Sequence, residues 1–137
     1  MSEKAVVFSP SVWRALIEHC RSSMPEEACG LLGMAGGVVC GIYPAENIRH
    51  SRVTYEISAA EQLRLRQAIA SAGQQLWGIY HSHPGGTAWP SAVDVAQAYY
   101  PELHYIIVSC GRGEPVVAVF RIVAGRVSPQ VVSLAPG

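Results

Sequence analysis

The sequence predicts an α/β fold, with residues 1–137 forming a single domain of one mixed, mostly antiparallel β-sheet and helices packed on it. Three observations point there. Short apolar runs alternate with turn residues from end to end. Two segments between them repeat apolar residues at helical spacing. Several strand-like runs are joined as hairpins, which argues against a wholly parallel sheet. The chain has 137 residues, half of them hydrophobic and 15% charged, which suits one packed core.

Residues 5–8 read as the first strand. Ser9 followed by Pro10 is a helix start, a capping side chain before proline at the first helical position. Trp13, Leu16, Ile17 and Cys20 then fall at i, i+3, i+4 and i+7, the spacing of one helix face, ending near Met24. Residues 28–34 read as a buried strand, Gly36-Gly37 as a hairpin turn, and 38–43 as its partner. Val53 to Ile57 reads as another strand. Ser58 and Glu61 match a capping box, so a second helix starts at Ala59 and runs to a stop at Gly73. Leu76 to His83 is a strand, followed by a Pro- and Gly-rich loop. Ser91 to Tyr100 fits a short helix halted by Pro101. Residues 104–109, 115–123 and 126–133 read as three strands joined by GRGEP and AGR turns.

Charge and composition narrow the function. Ten Lys and Arg balance ten Asp and Glu. A general nucleic-acid binder or an electrostatic membrane binder carries a basic excess, so neither partner is expected. No stretch reaches the ~18–20 apolar residues of a membrane span, and MSEKAVVFSP lacks a signal-peptide core. Cys20, Cys29, Cys40 and Cys110 form no C-x-x-C pair. They read as reduced, apolar core residues of a cytoplasmic protein.

The informative segment runs from His81 to Asp94: HSHPGGTAWPSAVD. His81 and His83 are two apart at the end of a strand, so both side chains share one face and can converge on one metal. Asp94, the chain's only aspartate, stands in the first turn of the next helix. A strand–loop–helix reversal can return its carboxylate to the strand end. Two imidazoles and a carboxylate form a catalytic zinc set with a fourth position left for water. Taken singly the pieces are ordinary. An H-x-H pair is common, and Ser91-x-x-Asp94 is also a plain helix start.

Together they resemble the JAMM (MPN+) metalloprotease family, whose motif is a distant glutamate followed by H-x-H-x(7)-S-x-x-D. Glu27 opens Glu27-Ala28-Cys29-Gly30, similar to the family's E-x-x-G segment, and Glu26 is out of register by one. The small bacterial branch, which includes peptidases acting on ubiquitin-like sulfur-carrier proteins, is the nearest in appearance. The resemblance implies a single MPN-like domain with a curved sheet. It implies that His81, His83 and Asp94 bind one Zn²⁺ carrying a catalytic water. Glu27 would move the water's proton to the leaving amine, and Ser91 would donate a hydrogen bond near the oxyanion. The implied reaction is hydrolysis after the C-terminal diglycine of a ubiquitin-like sulfur-carrier protein, releasing an amino acid or a short tail.

Two other readings stand beside this one: a non-catalytic MPN scaffold, and a broader deubiquitinase-like isopeptidase. The chain is compact, with only four residues between Tyr100 and Tyr105, so the insertions that grip ubiquitin have little room. Other zinc hydrolases fit less well. An amidohydrolase barrel needs about 250 residues, and zinc deaminases need a P-C-x-x-C segment. Trp89 either walls the substrate tail or packs the metal loop down. Residues 47–53 form either a lip beside the cleft or a plain connector. Tyr80 should point away from the metal face into core, and Cys29 reads as buried filler. His19, His50 and His104 read as structural or surface residues.

Overall fold

The computed structural model describes residues 4–111 and 113–136. The elements run β1 (Val6–Phe8), α1 (Pro10–Ser23), β2 (Cys29–Ala35), β3 (Val38–Ala45), α2 (Ala59–Ser71), β4 (Gln75–His83), α3 (Ala92–Ala96), β5 (His104–Ser109), β6 (Val116–Val123), β7 (Arg126–Gln130) and β8 (Val132–Leu134). All eight strands form one sheet in the order β7-β6-β5-β4-β2-β3-β1-β8. Four of its seven neighbouring pairs are antiparallel; β4–β5, β1–β3 and β1–β8 are parallel.

The sheet is curved, and its connectivity requires it. Flat, eight strands about 4.8 Å apart would set the outer two more than 30 Å from each other. Yet β7 and β8 occupy opposite edges and only Val131 separates them. Two peptide steps span about 7 Å at most, so the sheet curls until its edges meet at one corner.

Local chemistry sets the helix starts. Ser9 Oγ accepts the Val12 N–H at 3.2 Å, with Pro10 in the first turn. Ser58 Oγ accepts the Glu61 N–H at 3.2 Å. The reciprocal arm of that expected capping box is not made, because Glu61 Oε1 accepts the Glu46 N–H at 2.6 Å and ties α2 to the end of β3. At the β2–β3 hairpin, Gly36 and Gly37 have φ of +60° and +77°, a backbone that side chains resist.

The two helices cover opposite faces. Leu16 and Cys20 of α1 pack with Phe8, Leu32, Tyr80 and Ile106. Leu65 and Ile69 of α2 pack with Leu31, Ile79, Ile107 and Phe120. Tyr80 is fully buried on the α1 face, as its alternation with the histidines required, and its hydroxyl meets His19 Nδ1 at 2.7 Å. His19 is therefore structural. His104 stacks on Trp77 with centroids 4.3 Å apart, and His50 pairs with Glu26 at the surface. All four cysteines are free thiols. Cys20 and Cys29 are buried and Cys110 half-buried, whereas Cys40 faces solvent, against the expectation that all four are core.

Three elements differ from the sequence reading. Residues 53–57 form no strand. The Asn47 side chain takes the backbone groups a ladder would use: its Nδ2 donates to Thr54 O and its Oδ1 accepts from Glu56 N. The helix expected over residues 91–100 stops at Ala96. Pro101 disfavours helix in the residue before it, and the Tyr100 N–H goes to Tyr105 Oη at 3.0 Å instead. The strand expected over 126–133 breaks at Val131, where the chain leaves β6 and joins β1. In the expected GRGEP turn, Arg112 lies outside the described residues. Among the described residues, no helix is long and apolar enough to cross a membrane.

Candidate active site

The C-terminal end of β4 carries His81 and His83 on the sheet face that α2 also covers. Two neighbours define what meets them there. In β2, Cys29 pairs with His81, and the Ser82 N–H donates to Ala28 O at 3.0 Å. Extending that antiparallel register by two residues sets Glu27 opposite His83, on the same face. On the other side β4 runs parallel to β5, so the chain crosses over through the 84–103 segment. That crossover brings α3 back beside the strand end.

Asp94 arrives on the first turn of α3, held by a complete capping box. Ser91 Oγ accepts the Asp94 N–H at 3.0 Å, and the Ser91 N–H donates to Asp94 Oδ2 at 2.9 Å. The plain helix-start reading of Ser91-x-x-Asp94 is thus true, and it also aims the carboxylate. Asp94 Oδ1 lies 3.1 Å from His81 Nε2, and Oδ2 lies 3.0 Å from His83 Nε2. The two Nε2 atoms are 3.2 Å apart.

These three side chains form a cluster able to hold a metal ion. Tetrahedral ligands about 2.0–2.1 Å from zinc lie roughly 3.3 Å from one another, close to the spacing found here. The donor chemistry agrees. His83 Nδ1 is 2.7 Å from Thr87 O, a carbonyl that can only accept, so the ring hydrogen sits on Nδ1. In the neutral ring the Nε2 lone pair then faces a carboxylate oxygen, and a cation between them removes the repulsion. His81 is held flat by Tyr55, stacked on it with centroids 4.6 Å apart.

Burial and charge work differently on each group. Burial lowers the His81 pKa despite the Asp94 carboxylate. Burial also works against charge on His83, but Asp94, the Thr87 carbonyl and Glu27 together raise its pKa. Asp94 loses solvation too, yet its bonds to both imidazoles and to the Ser91 N–H hold it well below the usual carboxylate range. Glu27 is pushed up to about 8, chiefly by burial; His83 opposes the shift and Asp94 adds to it. Glu27 Oε1 is buried without a hydrogen-bond partner among the described residues. A carboxylate with a raised pKa and an uncommitted oxygen is suited to proton transfer.

Glu27, His83 and Ser91 open on one pocket of about 580 Å³, also lined by Pro84, Gly85 and Gly86. Arg52 and Val53, at the end of the 47–53 segment, also line it. Trp89 packs edge-on against Phe120, centroids 5.2 Å apart, and is about half exposed at 53%. The sequence reading singled out none of five supporting residues, and reached Asn47 and Arg52 only as part of the 47–53 segment. Ser82 ties Ala28 to β4, Thr87 sets the His83 tautomer and Tyr55 stacks on His81. Asn47 Nδ2 holds Glu27 O at 3.1 Å, and Arg52 stands on the pocket wall. Only the polar run at 47–54 hinted at them.

Residues 9–123 match the family described as prokaryotic homologs of the JAB domain. The chain belongs to the prokaryotic JAB/JAMM family. Among the similar proteins of this JAMM-type metallopeptidase family is the CysO-cysteine peptidase of Mycobacterium tuberculosis. It is 34% identical over 134 residues, covering 94% of this chain and 90% of that one. The desampylase of Haloferax volcanii is 34% identical over 102 residues, covering 69% of this chain and 73% of the relative. A JAB1/MPN domain protein of Archaeoglobus fulgidus, at 18% identity, shares the fold with a TM-score of 0.64 over 95% of this chain and 99% of its own. The JAMM chain accordingly has the MPN-like architecture that its motif implied.

Proposed function

We propose that this chain is a zinc-dependent peptidase that hydrolyses the bond after the C-terminal diglycine of a ubiquitin-like sulfur-carrier protein. The product released is an amino acid or a short tail. One observation carries the reading: Glu27, with a raised pKa and a free buried oxygen, stands opposite His83 beside the His81–His83–Asp94 cluster, at the wall of an open pocket. The names of the relatives give it a direction, since one is a CysO-cysteine peptidase and another a desampylase.

His81 Nε2, His83 Nε2 and Asp94 would hold the zinc. Zinc so held supplies Lewis acidity and brings the pKa of a bound water from 15.7 down to about 7. The remaining work falls to side chains. Glu27 takes the proton from the attacking water and passes it to the leaving amine as the C–N bond breaks. Ser91 Oγ already accepts the Asp94 N–H, so its own hydrogen is free to donate to the developing oxyanion. The Thr87 carbonyl keeps His83 in one tautomer throughout. A diglycine tail brings no side chains and lets backbone come close.

The test combines metal analysis with turnover. About one zinc per chain is expected, lost in both His81→Ala and Asp94→Ala. The zinc-loaded protein is expected to release cysteine from a CysO–cysteine adduct. Protein that takes up no zinc on reconstitution overturns the reading. Stoichiometric zinc in Asp94→Ala would reduce Asp94 to a helix-start residue.

A further inference from the structure

Among the described residues, Arg52 is the one Lys or Arg side chain on the wall of the pocket that holds Glu27 and Ser91. Its neighbours are committed elsewhere. Arg49 Nε bonds Glu56 at 2.8 Å, and His50 Nδ1 lies 3.3 Å from Glu26. Arg52 makes no ion pair among the described residues, and its side chain is exposed. The backbone on either side of it is nonetheless held. The Glu27 N–H donates to Ser51 O at 2.8 Å, and the buried Asn47 clamps both Glu27 O and Thr54 O. The arginine therefore follows directly on a backbone group bonded to the residue that moves the proton.

We propose that Arg52 binds the free α-carboxylate of the residue leaving the site. The assignment rests on the peptidase reading above and narrows its substrate to a carrier extended by one amino acid. The leaving amine must lie within hydrogen-bond reach of Glu27, which protonates it. In an amino acid the carboxylate carbon is about 2.5 Å from that amine nitrogen, through one Cα. It therefore falls close to Glu27, in the pocket whose wall Arg52 shares. A guanidinium is the side chain whose paired donors match a carboxylate. Met24, Pro25 and Val53 line the same pocket and give it apolar surface. An isopeptide to a lysine side chain offers no carboxylate at that distance, because its amine sits on a four-carbon stem.

The test uses one carrier ending in Gly-Gly-Cys, prepared as the free acid and as the primary amide. Zinc-loaded wild type, Arg52→Gln and Arg52→Lys are compared on both. Wild type is expected to prefer the acid in kcat/KM by about ten- to a hundredfold, the range of a charge-assisted hydrogen bond. Arg52→Gln should bring that ratio close to one through loss on the acid, and Arg52→Lys should restore part of it. An acid-to-amide ratio near one in wild type overturns the assignment while leaving the peptidase reading intact. Equal losses on both substrates in Arg52→Gln do the same, because they mark a merely structural role. Wild type that holds zinc and cleaves neither adduct overturns the peptidase reading, and this assignment with it.

Discussion

Replacing Ser82 with alanine should weaken both the fold and turnover while leaving the metal in place. Ser82 sits between the two histidines but faces the other side of the sheet, fully buried. Its Oγ accepts the Ala28 N–H at 2.8 Å. In Ser82→Ala that donor is left in the core, where an unsatisfied N–H costs about 1–3 kcal/mol. At about 2.1 cal/mol/K per residue, unfolding 137 residues carries roughly 0.29 kcal/mol/K. The expected fall in Tm is therefore about 3–10 °C. Zinc binding should persist, because His81, His83 and Asp94 keep their contacts on the opposite face. Turnover should drop further than stability alone requires. Glu27 adjoins Ala28, and a misplacement of about 1 Å at a reacting group can cost about a hundredfold. The assay is thermal unfolding at matched zinc occupancy, since bound metal itself raises Tm, together with metal analysis and kcat. A Tm within 1 °C of wild type, or an unchanged kcat, would refute the idea that this hydrogen bond positions the glutamate.

Two further outcomes test the same geometry. Glu27→Gln should keep stoichiometric zinc and lose turnover by about a hundredfold or more, in line with general acid–base contributions; near-normal kcat would remove Glu27 from proton transfer. Gly30→Ala should destabilise by about 1–3 kcal/mol through overpacking. A methyl there would lie 2.5 Å from Tyr80 Oη and 2.6 Å from the Tyr43 carbonyl oxygen. Circular dichroism melts read the effect, and a wild-type melting curve would mean that Tyr80 moves aside freely.

Much of this site was legible because its parts are local. Residues two apart on a strand must share a face, so His81 and His83 converge whatever surrounds them. Ser91 and Asp94 are one helical turn apart, so the capping box that starts α3 also orients the carboxylate. The glycine of Glu27-Ala28-Cys29-Gly30 marks a close approach, although its partner, Tyr80, is visible only once β2 lies on β4.

What the chain by itself determined was therefore the motif, its spacing, the helix starts and the alternation that put Tyr80 in the core. Tertiary structure decided the rest, because long-range hydrogen bonds leave no periodic trace in sequence. The β2–β4 register brought Glu27 to His83 across 56 positions of chain. Asn47 turned an apparent strand at 53–57 into a loop by taking its backbone partners, and so set Arg52 on the pocket wall. The break at Val131 sent β8 to the far edge of the sheet, a consequence of curvature that no local pattern encodes.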